Sequence, residues 1–261
     1  MTFSWLTDTV TMDIDRAIHY TLLWGLDGVD LRMIGKARVP NVREEKLRRR
    51  LDEAELPVTS IDPGFFELSI HDRAGWMNDL AMFPEALSFC RRLGCRTIVV
   101  GGFEGDRGRG LDDAASALQR LSDQADRFDV VIAVRNEGTA IVRTGGDLAS
   151  LLGRVDRPNV RAAWQPVAAL AAGDEVGEGL RQLTGRVQVV RCANVDFSSE
   201  HPVHVGLADG IIDWRAHLRT LFASGFDGTL SMEMLAEPRK KQAVRDVTWA
   251  IHAWREIARA G

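Results

Sequence analysis

The strongest constraint on this chain is a unit that recurs eight times along it. Each copy is a short run of apolar or β-branched residues, a polar or glycine-bearing loop, and an amphipathic stretch of helical periodicity. The runs that read as strands fall at 3–6, 29–32, 58–61, 97–100, 130–134, 160–164, 187–192 and 229–232. They are spaced by roughly 25 to 40 residues, as βα units require. Runs such as Thr97-Ile98-Val99-Val100 suit a parallel sheet covered on both faces. Eight such units either close into a barrel or lie side by side in a doubly wound open sheet. No GxGxxG turn follows the first run, which weighs against the dinucleotide-binding form of the open sheet.

The helical stretches carry their own start and stop signals. Asp112 and Asp113 open a helix over 114–128, in which Ala114, Leu118, Leu121, Ala125 and Phe128 recur at steps of three and four. Pro84 suits an early position of a helix running through Leu93, with Gly94 as its stop. Trp214, Leu218, Leu221 and Phe222 form another stripe, ending near Gly225. The basic run Lys46–Arg50 lies among Glu44, Glu45, Asp52, Glu53 and Glu55 and reads as the solvated face of a helix. Helices of this length between parallel strands make right-handed crossovers.

The chain has 261 residues, close to the roughly 250 of one such barrel, so a single domain over 1–261 is expected. With 45% hydrophobic and 27% charged residues, it can bury a core without disulfides or structural metal. The formal net charge of −4 and the absence of a basic stripe with interleaved aromatics argue against a nucleic-acid partner. Three cysteines, Cys90, Cys95 and Cys192, without CxxC spacing, give neither a disulfide framework nor a zinc cluster. The N-terminal stretch is acidic where a signal peptide needs a basic start and an apolar run. No stretch nears the ~18 apolar residues of a membrane span. A cytoplasmic location and no membrane partner are expected.

Three segments resemble the xylose isomerase-like superfamily of sugar isomerases, epimerases and endonuclease IV relatives. Leu26-Asp27-Gly28-Val29-Asp30-Leu31-Arg32 is similar to its second strand. Gly206-Leu207-Ala208-Asp209-Gly210-Ile211-Ile212-Asp213-Trp214 is similar to the segment after its seventh. Gly225-Phe226-Asp227-Gly228-Thr229-Leu230-Ser231-Met232-Glu233 is similar to its eighth. With the eightfold repeat, the resemblance covers nearly the whole chain and implies a (β/α)8 TIM barrel. It also implies a divalent metal at the C-terminal mouth, held by Glu, Asp, His and Glu after strands five to eight. That metal would polarise a substrate carbonyl while carboxylates move the neighbouring proton.

The residues at those positions depart from the family pattern. Arg135 stands where the strand-five Glu is expected, Gln165 replaces the strand-six Asp, and Arg191 replaces the strand-seven His. Only Glu233 remains. Guanidinium has no lone pair for a metal, and two of them would repel a dication. No metal and no other cofactor is therefore expected. Arg135 and Arg191 can instead balance Glu137 and Glu233, with Glu137 two residues beyond Arg135 and on the same side of an extended backbone.

Two readings of the mouth stand together. In one, Arg135 and Arg191 hold an anionic small-molecule substrate, a carbohydrate or keto acid, with Arg32, Gln165, His201 and His204 as further contacts. Glu233 or Glu137 is then the base for proton transfer next to a carbonyl. In the other, the arginines fill the old metal hole and leave a non-catalytic barrel that binds a ligand or partner subunit. His201 and His204 enter because related isomerases place substrate contacts in that loop; His19, His217 and His252 are expected at the helical periphery. The loop 101–110 reads as a lid over the mouth or as a phosphate-holding loop, though it lacks the Lys-Ser/Thr ending of a P-loop, which favours the lid. Endonuclease-type repair would need zinc ligands and a basic groove, which this acidic chain lacks. Related barrels often pair, so a homodimer is expected.

Overall fold

The computed structural model describes residues 1–198 and 202–260. Its central sheet has eight parallel strands: β1 (Thr2–Trp5), β2 (Val29–Leu31), β3 (Val58–Ile61), β4 (Thr97–Val100), β5 (Val131–Arg135), β6 (Val160–Trp164), β7 (Val187–Cys192) and β8 (Thr229–Met232). Neighbours in sequence are neighbours in space from β2 to β8, and β8 pairs with β1. The ring closes where Leu6 bridges Asp30 in parallel and the Asp27 amide donates to the Phe3 carbonyl at 2.8 Å. The closed barrel, and not the open sheet, is the fold. Each strand begins and ends within about a residue of the run that announced it, because apolar runs bounded by turn residues leave few other registers.

Helices α1 (Ile14–Trp24), α2 (Glu44–Glu53), α3 (Arg73–Arg92), α4 (Leu111–Ala125), α5 (Gly145–Val155), α6 (Pro166–Ala171), α7 (Val176–Gln182), α8 (Trp214–Ala223) and α9 (Arg239–Ala260) surround the barrel. Asp13, Asp72 and Asp213 cap their helices through side-chain oxygens, and Thr144 with Asp147 forms a capping box. Inside the ring, Val99, Ala133, Ala163 and Val189 make a small cluster apart from the main core. Ser4, Ser60 and Ser231 are also buried.

Two helix readings need correction. Pro84 is interior to α3, which starts eleven residues earlier than the proline at Arg73, not beside it. The Asp72 cap and the buried Trp76, Leu80 and Phe83 hold the earlier turns and outweigh the missing amide. The stretch expected as helix to 128 ends as α-helix at Ala125 and tightens into a 3-10 turn over Asp126–Phe128. Gly94 does stop α3. It has φ +65°, and the Cys95 amide donates back to the Cys90 carbonyl at 2.9 Å. His217, expected at the periphery, is only 3% exposed on α8. Burial pushes its imidazole pKa down. Among the described residues no helix is long and apolar enough to cross a membrane.

Candidate active site

Because the strands are parallel and in register, residues at or just past their ends gather at one rim. Arg135 closes β5 and pairs with Ala163, while Arg191 pairs with Ser231. Gln165 and Glu233 directly follow β6 and β8, and Arg32 follows β2. The five strand-end residues singled out above thus share the C-terminal mouth, where barrels of this class carry chemistry.

Arg135 is 5% exposed and serves three carboxylates. Its Nη1 donates to Asp62 Oδ2 at 2.5 Å, and its Nη2 reaches Glu67 Oε1 at 2.6 Å and Glu137 Oε1 at 2.9 Å. Asp62 and Glu67 were not foreseen. Both are also held by Arg38, which donates to Asp62 Oδ1 at 2.6 Å and to the two Glu67 oxygens at 2.7 Å each. Arg38 sits on the short hairpin of Met33–Ile34 with Ala37–Arg38. Its guanidinium packs flat on Gly64, whose φ is +84° and where a Cβ would meet Arg38 Cζ at 2.5 Å. Only glycine fits that position.

The electrostatics follow from this packing. Burial pushes the Asp62 carboxyl up, but Arg135 and Arg38 more than offset it and hold it below the usual range. Glu67 is lowered on the same balance, burial being exceeded by the two arginines. Burial disfavours the charged form of Arg135, yet Asp62, Glu137 and Glu67 keep it more firmly protonated than a free guanidinium.

Arg191, 2% exposed, does not pair with Glu233. Its Nη1 donates to Asp30 on β2 and to Ser231 Oγ at 2.8 Å, and the Ser231 hydroxyl donates to Asp30 Oδ2 at 2.9 Å. The expected Arg191–Glu233 contact is replaced because Asp30 is wholly buried opposite Arg191, whereas Glu233 lies half-exposed at the rim. The buried Arg191 Nη2, Asp30 Oδ1, Ser60 Oγ and Arg135 Nε have no protein partner among the described residues. Arg32 is turned to Asp8, which its Nε meets at 2.8 Å.

This leaves Glu233 half-buried, with no ion pair among the described residues. Gln165 lies beside the mouth, its backbone fixed by Asn136. That fully buried amide accepts from the Gln165 N–H at 2.8 Å and donates to the Gln165 carbonyl at 3.0 Å. A cavity of about 480 Å³ opens over the β1–β5 side, lined by Asp8, Arg32, Met33, Arg38, Glu67, Glu104, Arg135, Glu137 and Thr139. A larger one, about 710 Å³, lies beside α1 and α2 with Met12, Ile34 and Leu47 in its wall, and no strand-end residue named above lines it.

His204 sits on the hairpin of Asn194–Asp196 with Val203–Val205, its Nδ1 buried without a partner among the described residues; His201 lies outside the described residues. The 101–110 loop is fastened on both sides, which contradicts the lid reading. Glu104 bridges Ser69 and Ala140, the Gly108 amide donates to the Ile141 carbonyl, and Arg143 donates to the Ala140 and Gly105 carbonyls.

Two comparisons place this architecture. The sequence profile of the xylose isomerase-like TIM barrel matches residues 20–252. The chain belongs to that family. No curated protein sequence matches it. Among solved structures, an L-ribulose 3-epimerase superposes with a TM-score of 0.81 at 15% identity, covering 99% of this chain and 96% of that one. The zinc-bound IOLI protein gives 0.80 at 18% identity, covering 98% of each chain. The 3-keto-D-glucoside 4-epimerase YcjR of E. coli gives 0.77 at 19%, covering 97% of this chain and 99% of that one. At these identities the likeness speaks for the fold.

Arg135, Gln165, Arg191 and Glu233, the residues expected at the metal positions, offer one carboxylate and one amide oxygen beside two guanidiniums already bonded to carboxylates. That donor set does not fit a divalent ion.

Proposed function

We propose that this barrel is a sugar isomerase or epimerase-like enzyme, moving a proton at the carbon next to a carbonyl without a divalent ion. The observation that carries the reading is Glu233, which directly follows β8, lies half-buried and makes no ion pair among the described residues. An unpaired carboxylate can take and return a proton, whereas Glu137, bonded to Arg135 at 2.9 Å, is a poorer base and serves better as a fixed charge. Gln165 supplies an amide to the developing enediolate oxygen, a share of what a metal would otherwise give. Arg32, in the cavity wall, serves as a substrate contact, and His204, on its hairpin, as a further one.

The substrate is a small polar carbohydrate or keto acid. Arg135 and Arg191 are committed to carboxylates, so they anchor no anionic group directly. Among the arginines lining the cavity, Arg32 keeps an edge clear of its carboxylate, with Nη1 unused by Asp8.

Hydrogen exchange tests the reading. Incubation with a panel of ketoses, aldoses and keto acids in deuterium oxide should label the carbon next to the carbonyl of one of them, and Glu233→Gln should abolish the label. A second reading, a non-catalytic barrel that binds a ligand or a partner subunit, is favoured by the commitment of Arg135 to three carboxylates. Ligand binding without label in any panel member would decide for it. The enzyme reading includes a homodimer, and a fixed monomer mass in sedimentation at all concentrations would remove that part.

A further inference from the structure

A second group of arginines gathers at the opposite end of the barrel. A cavity of about 410 Å³ opens where β6 and β7 begin, with Gly153, Asp156, Arg157, Arg161, Gly185 and Arg186 in its wall. A smaller one of about 210 Å³ shares Arg161 and Gly185 and continues to Phe226 and Asp227 before β8.

The charge pattern is the reverse of that at the mouth. Arg32, Arg38, Arg135 and Arg191 each hold a carboxylate. Arg161, from β6, and Arg186, from the turn before β7, line the lower cavity without an ion pair or side-chain hydrogen bond among the described residues. Arg157 is drawn toward Asp123 at 3.6 Å and donates to the Asp156 carbonyl at 3.3 Å. Asp156 and Asp227 also line these cavities, yet neither reaches Arg161 or Arg186 within ion-pair distance. Arg161 is half-buried and Arg186 exposed, so both guanidiniums keep water access at the cavity, with no carboxylate among the described residues to occupy them. That leaves their N–H donors available to an external anion.

We propose that this lower cavity binds an oxyanion of the phosphate type between Arg161 and Arg186. Two planar guanidinium forks present paired N–H donors, and a tetrahedral dianion has acceptors enough for both. The site lies at the barrel end away from Glu233, so its ligand is an effector and not the substrate. The proposal stands apart from the isomerase reading and survives its failure.

Calorimetric titration of the full chain with inorganic phosphate, at ionic strength held by sodium chloride, tests it. One phosphate per chain is expected. Arg161→Gln and Arg186→Gln should each weaken binding by roughly tenfold or more, from the loss of charge-assisted hydrogen bonds. Melting without phosphate should be unchanged or raised in both variants, since an unpaired cation has gone, and Arg161→Lys should bind with intermediate strength. Parallel titrations with glycerol phosphate tell a phosphoester from the free ion as the group accepted. Absence of phosphate binding, binding in both Gln variants as tight as in the native chain, equal affinity for acetate, or loss only on Arg32→Gln at the mouth would each overturn the proposal.

Discussion

Arg191 of β7 and Asp30 of β2 form an ion pair inside the barrel, fastened by the Ser231 hydroxyl, which stands 2.8 Å from Arg191 Nη1 and 2.9 Å from Asp30 Oδ2. The strands that carry them are separated in the ring by β8 and β1. The Arg191 guanidinium is therefore spent on joining distant parts of the wall. Breaking a buried pair by removing one partner costs about 3–5 kcal/mol, because the other charge is stranded. Arg191→Met should lower unfolding stability by an amount in that range, and adding Asp30→Asn should recover part of it. Adding Glu233→Gln instead should be additive. Coupling of Arg191 with Glu233, and none with Asp30, would contradict the pairing.

The Asp62–Glu67 pair of carboxylates makes the fold sensitive to acid. Both are held below their ordinary range in the folded chain, so the folded state binds fewer protons than the unfolded one as they titrate. Their contribution is fully present above the unfolded values of about 3.9 and 4.3 and is lost as pH falls through the lower folded values. Asp79, Asp174 and Asp246, raised mainly by burial, act in the opposite direction and soften the net slope. Urea midpoints at about pH 5 and about pH 3 should fall more steeply for the native chain than for Glu67→Gln. Parallel slopes would remove Glu67 from the account.

Asn136 should behave as a positioning residue for Gln165. It is wholly buried and spends its amide on the Gln165 backbone and the Arg143 carbonyl at 3.1 Å. Asn136→Ala leaves those groups unsatisfied and should cost about 1–3 kcal/mol in stability. In an active preparation kcat should fall while KM changes little, since the amide proposed to serve the enediolate would be displaced. A loss of stability with kinetics intact would assign Asn136 to the fold alone.

Loss of the general base should cost on the order of 10²–10⁴ in kcat. Glu233→Gln is expected to show that loss with substrate binding retained, and Glu137→Gln a smaller one, because Glu137 already lies against Arg135. The reverse order, read from initial rates on the labelled substrate, would move the base to Glu137.

Much of this architecture was legible in the residues. Runs such as Thr97–Val100 fixed strand positions, and the ends of those runs placed Arg32, Arg135, Gln165, Arg191 and Glu233 at one rim. The partners of the arginines were not legible. Asp30 read as part of a strand pattern, and nothing local says that its side chain faces Arg191, 161 residues later. Asp62 had a signal that went unused, a carboxylate directly after the apolar end of β3, where a barrel places reactive groups. Arg38 and Glu67 had none, since their meeting depends on a two-residue hairpin and on the close approach allowed by Gly64. The lid reading failed for a similar reason. Glycine content signals conformational freedom, while the tie from Arg143 to the Ala140 and Gly105 carbonyls appears only in three dimensions.

The most direct test of the metal-replacement account is an equilibrium titration of the chelator-treated chain with manganese(II), followed by the spin resonance of the free ion. With Arg135 bonded to Asp62, Glu67 and Glu137, and Arg191 bonded to Asp30, the account predicts no stoichiometric uptake, and the same trace for Glu233→Gln. One equivalent bound per chain, and lost in Glu233→Gln, would contradict it.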